Sequence, residues 1–532
     1  MSTEPTATAS PPATAELDGA VCSEFGALIA PSRPDSGGRS LGFVLAILAV
    51  VSTTCWFLLY RWYGLFEHQD HAHFSFEKIP GGFDSPMMRQ TAVIFLILAA
   101  SYVAAVRILR SAGTIVPFMK LGILLLIAGP VVANILLFPV GALDVFNYMI
   151  ELKLAFHYDQ NPYLVTFEDY RADSFAISAF LVNITLFYGP AWLLVSWIPT
   201  AIVGFYDVVE TLLALKIFNV LLLLLTSLLI AWSQEDRRWR WFTAAVFLAN
   251  PLVLFEGVAN AHNDVLMTAF LIGAMFALQR RSPLAGPLLA LSALVKLYPV
   301  VLAPLFVVVV LRERWGWKRA GAAVLLGAIT VVIICAPYWE DGKLVDGLRG
   351  GLEQSQVMDH VSPFSLAQQY AQQREAQESG NPEFIRSRPS AEVVPEETKR
   401  TLRNVSTGIF AAAALLIAAS VWRGRPPAIA AAETLLLLLL LLTNLYGWYL
   451  IPVFALLAVR LDRLSAMYIS VATALGLLYY PMFIYGHFNT EWSRFQVHLF
   501  LAPFLTLPIL IYLVARVLRP LITMRASKST SE

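Results

Sequence analysis

The chain is dominated by runs of apolar residues long enough to cross a lipid bilayer. A spanning helix needs roughly 20 mostly apolar residues. Of the 532 residues, 58% are hydrophobic and 14% are charged. In a typical soluble protein, about a quarter of the residues are charged. The sequence therefore predicts an all-α polytopic membrane protein with roughly 12–14 transmembrane helices. Candidate spans begin near Leu41, Thr91, Leu121, Thr211, Phe242, Val265, Ala320, Thr407, Ala428, Leu464 and Phe500.

The polar segments divide the chain into a membrane domain with two tails. Residues 1–40 are rich in Ser, Thr, Ala and Pro, which predicts a disordered cytoplasmic tail. Residues 41–520 form the membrane domain, and 521–532 a second cytoplasmic tail. Two long loops, 141–207 and 340–403, are predicted outside the membrane. We expect the apolar parts of the first loop to lie at the membrane surface and the second loop to form a helical cap.

The positive charges predict the orientation of the chain. Short connections rich in Lys and Arg face the cytoplasm, which leaves the intervening polar loops on the outer side. Both termini are then cytoplasmic, and every motif with plausible chemistry lies outside. The residues that mark the inner connections are Arg107, Arg110, Lys120, Arg237, Arg238, Arg240, Arg280, Arg281, Arg312, Arg314, Lys318, Arg319, Arg423, Arg425, Arg460 and Arg463.

Two apolar segments depart from the simple spanning pattern. The run from Leu284 to Leu311 is interrupted by Lys296, Tyr298 and Pro299, which predicts two short helices meeting at a polar tip. Leu450 to Val459 forms another short apolar piece.

The polar segment after the third predicted helix carries the first candidate site. Asp144, Tyr148 and Glu151 are spaced i, i+4 and i+7, which places them on one face of a helix. Asn161 and Tyr163 follow shortly afterwards. An Asp at a helix start is also an ordinary N-cap, although capping explains Asp144 alone.

These motifs resemble those of the GT-C superfamily of polyprenol-phosphate-sugar-dependent glycosyltransferases, and most closely bacterial polyprenol-phosphate-mannose-dependent α-mannosyltransferases. The likeness runs over about residues 120 to 455, and the motifs occur in the same order. They are Asp144-x3-Tyr148, Asn161-Pro162-Tyr163, Phe187-Tyr188-Gly189-Pro190, Ala261-His262-Asn263-Asp264, Ala293-Leu294-Val295-Lys296-Leu297-Tyr298-Pro299 and Tyr446-Gly447-Trp448-Tyr449.

The resemblance implies a GT-C-like helical bundle and an inverting transfer on the outer face of the membrane. The donor is a sugar, expected to be mannose, on a polyprenyl phosphate, and the acceptor is a glycolipid or an oligosaccharide. Asp144 matches the general base, and Lys296 is expected to contact the donor phosphate. The further substrate-binding candidates are Tyr148, Glu151, Asn161, Tyr163, Tyr188, His262, Asn263, Asp264, Tyr298, Tyr446, Tyr449 and Arg494.

Elementary chemistry agrees with these roles but leaves alternatives. A carboxylate can take the proton of a sugar hydroxyl as the bond forms, and a cation can stabilise the leaving phosphate. Lys296 could instead snorkel to the interface. The turn from His262 to Asp264 could be a capped polar turn, and Glu256 could make a structural hydrogen bond between helices.

Several other polar residues remain ambiguous. His68, Asp70, His71 and His73 form a cluster that could bind a divalent cation, although most surface histidine clusters do not. Arg494 and its neighbour His498 could touch phosphate or anchor the last helix at the interface. The net charge of +1 gives no indication of nucleic-acid binding.

Two other functional classes share the topology. A secondary transporter or a flippase for lipid-linked sugars also has broken helices, but usually shows internal repeats, and none is evident here. A glycan ligase or polymerase usually presents Arg-rich external loops, whereas these loops have mixed charge.

Overall fold

The computed structural model describes residues 36–68, 74–177, 179–355, 361–378, 396–442, 445–488 and 492–529. Within these ranges the chain is helical and contains no β-strand, and an isolated antiparallel bridge joins Gly64 to Leu137. The predicted all-α class is confirmed.

Eight described helices are long and apolar enough to cross a membrane, and the protein is a multi-pass membrane protein. A ninth candidate is formed by the helical segments Arg237–Leu248 and Pro251–Ala259, which are bent by 52° at a short break. The eight helices are α1 (Ser36–Tyr63), α3 (Pro86–Ser111), α4 (Pro117–Leu136), α8 (Val208–Trp232), α14 (Trp317–Cys335), α17 (Glu396–Trp422), α20 (Arg463–His487) and α21 (Arg494–Ser529).

Further apolar helices are too short to span alone. The predicted spans near Val265 and Ala428 are helices of 16 and 15 residues, below the roughly 20 that a span needs. The expected 12–14 spans therefore divide into eight or nine full-length helices and shorter ones. The shorter helices and the bent pair are α7 (Pro190–Val203), α9 (Arg237–Leu248), α10 (Pro251–Leu254), α11 (Asp264–Gln279), α12 (Ala285–Val295), α13 (Ala303–Arg312), α18 (Pro427–Leu441) and α19 (Leu450–Val459).

The remaining elements form the polar connections. The α-helices among them are α2 (Leu65–His68), α5 (Asp144–Phe156), α6 (Ser174–Ile177), α15 (Lys343–Ser355) and α16 (Pro363–Glu378). A π-helix covers Phe255–Ala259. Short 3-10 turns cover Phe76–Lys78, Gly82–Asp84, Glu168–Tyr170, Tyr298–Leu302, Ala336–Tyr338, Glu340–Gly342 and Gly447–Tyr449.

The long helices pack side by side around the segments that carry the candidate site. Helix α1 packs against α4, α8 packs against α9 and α11, and α20 packs against α3 and α21. Outward-facing apolar residues, such as Val324 and Leu325 of α14, are 74% and 60% exposed. Such surfaces are compatible with lipid tails and not with water.

Several local predictions can be compared with the structure. The polar tip is confirmed, because α12 ends at Val295 and Tyr298–Leu302 is a 3-10 turn before α13. The predicted cap contains α15 and α16. Helix α1 begins at Ser36 and α21 continues to Ser529, so both enter the predicted tails. The division into tails and membrane domain stays a prediction.

Candidate active site

An ion pair joins two of the predicted motifs. Lys296 Nζ lies 2.6 Å from Asp264 Oδ2, and the Tyr298 hydroxyl donates to Asp264 Oδ1 at 3.1 Å. Lys296 is 8% exposed and Asp264 is fully buried. Lys296 therefore turns inward to a carboxylate and does not snorkel to the interface.

Asp144 is the first residue of α5 and lies within electrostatic range of this pair. Leu143 is the N-cap and no side-chain capping bond forms there, so capping does not account for Asp144. Burial raises the pKa of Asp144 to about 6, and the positive charge of Lys296 limits that rise. The carboxyl therefore titrates near neutrality, where a general base is effective.

The turn that precedes Asp264 has an unusual backbone. The π-helix Phe255–Ala259 leads into Ala261, which has a φ of 54°. Both features are uncommon for ordinary residues and concentrate at functional sites. This backbone turns the chain sharply, so that α11 begins at Asp264 beside Lys296.

Unpartnered polar atoms surround the same turn. Among the described residues, both ring nitrogens of His262 and both amide atoms of Asn263 are buried without a hydrogen-bond partner, and His262 Nε2 lies 3.5 Å from Glu256 Oε2. The two residues are 0% and 3% exposed. Because buried polar groups in native proteins are normally hydrogen-bonded, these four atoms make the turn a candidate position for a polar ligand.

Aromatic rings enclose Lys296 and His262. The Lys296 Nζ lies 5.2 Å from the ring centroids of Tyr188 and Tyr449. The His262 ring stacks on Trp448 at 4.0 Å, and Trp448 stacks on Tyr446 at 4.1 Å. These rings supply the apolar walls of a site whose polar groups converge on Lys296.

A glycine permits the close approach of Tyr188. A β-carbon on Gly189 would lie 2.0 Å from the carbonyl oxygen of Leu294, so a larger residue cannot occupy this position. The Gly189 amide donates to the carbonyl of Val295 at 3.1 Å. These contacts hold the Tyr188 segment against the polar tip that carries Lys296.

The other two candidates on α5 are buried beside Asp144. The Tyr148 hydroxyl donates to the Tyr188 hydroxyl at 3.4 Å. Glu151 is 4% exposed, and its Oε2 atom has no hydrogen-bond partner among the residues that the structure describes. Burial, and then the negative charge of Asp144, raises the pKa of Glu151 above its ordinary value.

The Asn161–Tyr163 motif holds the long loop 141–207 in place. The Tyr163 hydroxyl donates to the carbonyl of Tyr188 at 2.8 Å. The Asn161 amide donates to Glu340 Oε1 at 2.9 Å and accepts from the Tyr163 amide at 3.1 Å. Through these bonds, the side chains of Asn161 and Tyr163 stabilise the loop. Their contacts with substrate stay predictions.

The remaining residues are Arg494 and its neighbour His498, at the start of α21. The side chain of Arg494 is outside the part of the chain that the structure describes. His498 is 7% exposed, with Nδ1 at 2.7 Å from Gln369 Oε1, so it is packed inside and does not anchor the interface.

Comparison with known families agrees with this arrangement. The family described as alpha-(1->6)-mannopyranosyltransferase, N-terminal domain, matches residues 45–312, which is half of the chain. The chain belongs to this mannopyranosyltransferase family. Glycosyltransferase family 87 also matches, over residues 186–444. No curated protein and no solved structure matches the chain significantly.

Membership of the mannopyranosyltransferase family makes the protein a glycosyltransferase, and its two matched regions contain the candidate site. The first covers Asp144, Asp264 and Lys296, and the second begins just before Tyr188. The suspected relationship to glycosyltransferases is confirmed.

The glycosyltransferase also contains a buried network that the motifs did not indicate. Glu256 is fully buried and accepts hydrogen bonds from the Tyr480 hydroxyl and, at 3.0 Å, from the Asn260 amide. Tyr480 lies on α20, so Glu256 does make a bond between helices. In the sequence, the feature that indicates this network is the carboxylate of Glu256 inside an apolar run.

The described residues contain no group of three or more His, Cys, Asp or Glu side chains arranged to hold a metal ion. Asp70, His71 and His73 of the predicted cluster lie outside the described residues. His68 is described, and its ring stacks on Phe74 at 3.8 Å.

Proposed function

We propose that this glycosyltransferase moves mannose from a polyprenyl phosphate to a hydroxyl of a glycolipid or glycan on the outer face of the membrane. The observation that carries the proposal is the placement of the Asp144 carboxyl near the buried Lys296–Asp264 pair, in a chain of the mannopyranosyltransferase family.

Asp144 acts as the general base in this reaction. The acceptor oxygen attacks the anomeric carbon while its proton passes to the Asp144 carboxylate. The bond between that carbon and the phosphate oxygen breaks, and its electron pair leaves with the polyprenyl phosphate. The configuration at the anomeric carbon is inverted.

Lys296 stabilises the charge that develops on the leaving phosphate. A buried cation acts strongly there because little water screens it. Asp264 and Tyr298 hold the ammonium group in place before the donor arrives. The leaving phosphate and Asp264 then both contact the Lys296 ammonium group, which is already in the site when the donor binds.

The family description also supports a linkage. We extend its α-(1→6) bond to this chain, which makes the acceptor group a primary hydroxyl. Because an inverting transfer forms an α product from a β donor, the matching donor is the β-linked mannosyl phosphate.

The test uses membrane vesicles supplied with radiolabelled polyprenyl-phosphate mannose. Wild type is expected to form labelled glycan, and Asp144→Asn is expected to lose at least ~10²-fold of that activity, because the amide cannot accept the proton. Unchanged transfer by Asp144→Asn contradicts its role as base.

The same vesicles test the second candidate, a secondary transporter or flippase. Movement of the labelled lipid across the bilayer without formation of a glycosidic bond would favour that reading. The family match and the convergent carboxyl and ammonium groups favour transfer.

A further inference from the structure

Helix α8 carries two buried polar side chains that the proposed reaction does not use. Lys216 is fully buried and Asn219 is 7% exposed, inside an otherwise apolar spanning helix. They are three residues apart, so they lie on the same face of the helix. A buried ionisable group at this depth is costly and requires polar partners.

Lys216 binds the end of the segment that leads to Asp144. Its Nζ donates to the carbonyls of Leu137, Ile135 (3.4 Å) and Asn134 (3.5 Å). These carbonyls lie at the C-terminus of α4, where backbone acceptors lack helical partners and the helix dipole is negative. Lys216 therefore fixes the point from which the chain turns towards α5.

Asn219 binds the segment that leads to Asp264. Its amide donates to the carbonyls of Gly257 at 2.8 Å and His262 at 3.1 Å. Gly257 belongs to the π-helix, and His262 follows Ala261 with its positive φ. One side chain thus holds both sides of the irregular turn.

The two segments also contact each other. The Gly141 amide donates to Asn260 Oδ1 at 3.2 Å, and a β-carbon on Gly141 would lie 2.7 Å from the Asn260 amide nitrogen. The segment before Asp144 and the turn before Asp264 are therefore packed together, on a common support that α8 provides.

We infer that Lys216 and Asn219 are a pair of positioning residues, which set the distance and orientation of Asp144 relative to the Asp264–Lys296 pair. The inference rests on the proposed function for its kinetic consequence. A displacement of about 1 Å at a reacting group can reduce turnover ~10²-fold.

The test compares Lys216→Met and Asn219→Leu with a matched control on the same helix. Thr226 is also fully buried, and its hydroxyl donates to the carbonyl of Leu222 in its own helix, so Thr226→Val removes a buried polar group whose described bond lies outside both segments. We expect kcat to fall ~10²-fold for Lys216→Met and ~10-fold for Asn219→Leu. Because both side chains bond to backbone carbonyls and the proposed reaction assigns neither to donor binding, KM is expected to stay within about threefold.

A second readout needs no substrate. In nanodiscs, hydrogen–deuterium exchange is expected to accelerate in peptides covering 137–146 for Lys216→Met and 257–263 for Asn219→Leu, and to stay at the wild-type rate for Thr226→Val. If Lys216→Met fails to accumulate, Lys216→Gln keeps one amide donor and serves the same comparison.

The outcomes separate the two proposals. Kinetics and exchange that match those of Thr226→Val overturn the positioning pair. If exchange accelerates in the expected segment of each variant while the wild-type protein transfers no mannose, the positioning pair is supported and the proposed donor is refuted. A uniform rise in exchange over the whole chain indicates a general packing role and also overturns the inference.

Discussion

Two ionic clusters lie towards opposite ends of α20, one around Asp462 and the other beside Glu256, which accepts a hydrogen bond from Tyr480. They differ in how completely their polar atoms are paired. Asp462 lies just before α20 and Tyr480 lies near its other end, about 27 Å away at 1.5 Å per residue. The active-site cluster consists of Asp144, His262, Asn263, Asp264 and Lys296. The arginine cluster consists of Arg425, Glu433, Asp462 and Arg516.

The arginine cluster is closed by its own contacts. Arg516 donates to Asp462 at 2.9 Å, to Ser465 at 2.7 Å and to the Tyr512 hydroxyl at 3.0 Å. Glu433 pairs with Arg425 and with Arg516. These bonds join α18, α20 and α21, so the cluster ties helices together.

The active-site cluster is left open. Within the part of the chain that the structure describes, the side-chain nitrogen and oxygen atoms of His262 and Asn263 have no hydrogen-bond partners. A cluster with unpaired buried groups is less stable than one with every group paired. The difference teaches that two clusters with comparable charge can differ in the pairing of their polar atoms, and the proposed reaction is assigned to the cluster that is less completely paired.

The largest expected effect concerns the arginine cluster. Arg516→Met removes the cation that Glu433 and Asp462 share and leaves the buried Glu433 with Arg425 as its remaining cation. Loss of one partner of a buried pair costs up to about 3–5 kcal/mol. We expect a clearly lower midpoint of thermal unfolding, measured in nanodiscs, with the turnover of folded protein preserved. Lost turnover at unchanged stability would mean that the two clusters do not divide their roles as described.

Lys296→Met is expected to show the opposite pattern. Without its cation, the leaving phosphate loses an electrostatic partner, and kcat should fall by ~10²–10³-fold. Donor turnover by purified protein measures this loss, with Lys296→Arg as the control that keeps the charge. If Lys296→Met retains wild-type kcat, the ammonium group has no role in departure of the phosphate.

Asn263→Ala tests whether the unpaired amide of Asn263 binds the donor. We expect KM for the donor to rise about tenfold, since the amide supplies hydrogen bonds worth about 1.4 kcal/mol to the bound sugar. The unfolding midpoint should not fall, because no intramolecular hydrogen bond is lost. A large drop in stability with unchanged KM would assign Asn263 to the fold.

The smallest expected effect is on pH dependence. Asp144 must be ionised to accept a proton, so kcat/KM should decline as the pH falls below about 6. Lys296 lowers the pKa of Asp144, so Lys296→Met should move this acid limb to higher pH. A pH–rate profile measured on the residual activity checks the direction. An acid limb that stays in place would show that Lys296 does not influence the ionisation of Asp144.

Local features of this fold were accessible from the sequence, but distant pairings were not. The break at Lys296 and the helix at Asp144 follow from short-range patterns. The bond between Lys296 and Asp264 joins residues 32 positions apart, and that between Glu256 and Tyr480 joins residues 224 apart. Helical periodicity contains no information about such partners.

Two further differences have identifiable causes. Helix α11 has only 16 residues because the polar turn ends at Asp264 and the chain leaves the helix at Arg280, before Arg281 with a φ of 53°. Lys216 is visible in the sequence as a lone lysine in an apolar run, but its partners are not. Its function depends on α4, whose end is brought to it only by packing.

The most direct test of the central claim separates binding from chemistry at Asp144. Donor affinity and single-turnover transfer are measured for wild type and Asp144→Asn in the same nanodiscs. If Asp144 is the base, the donor binds within about threefold of wild type while the rate falls at least ~10²-fold. An unchanged rate, or a loss explained entirely by weaker donor binding, would contradict the assignment.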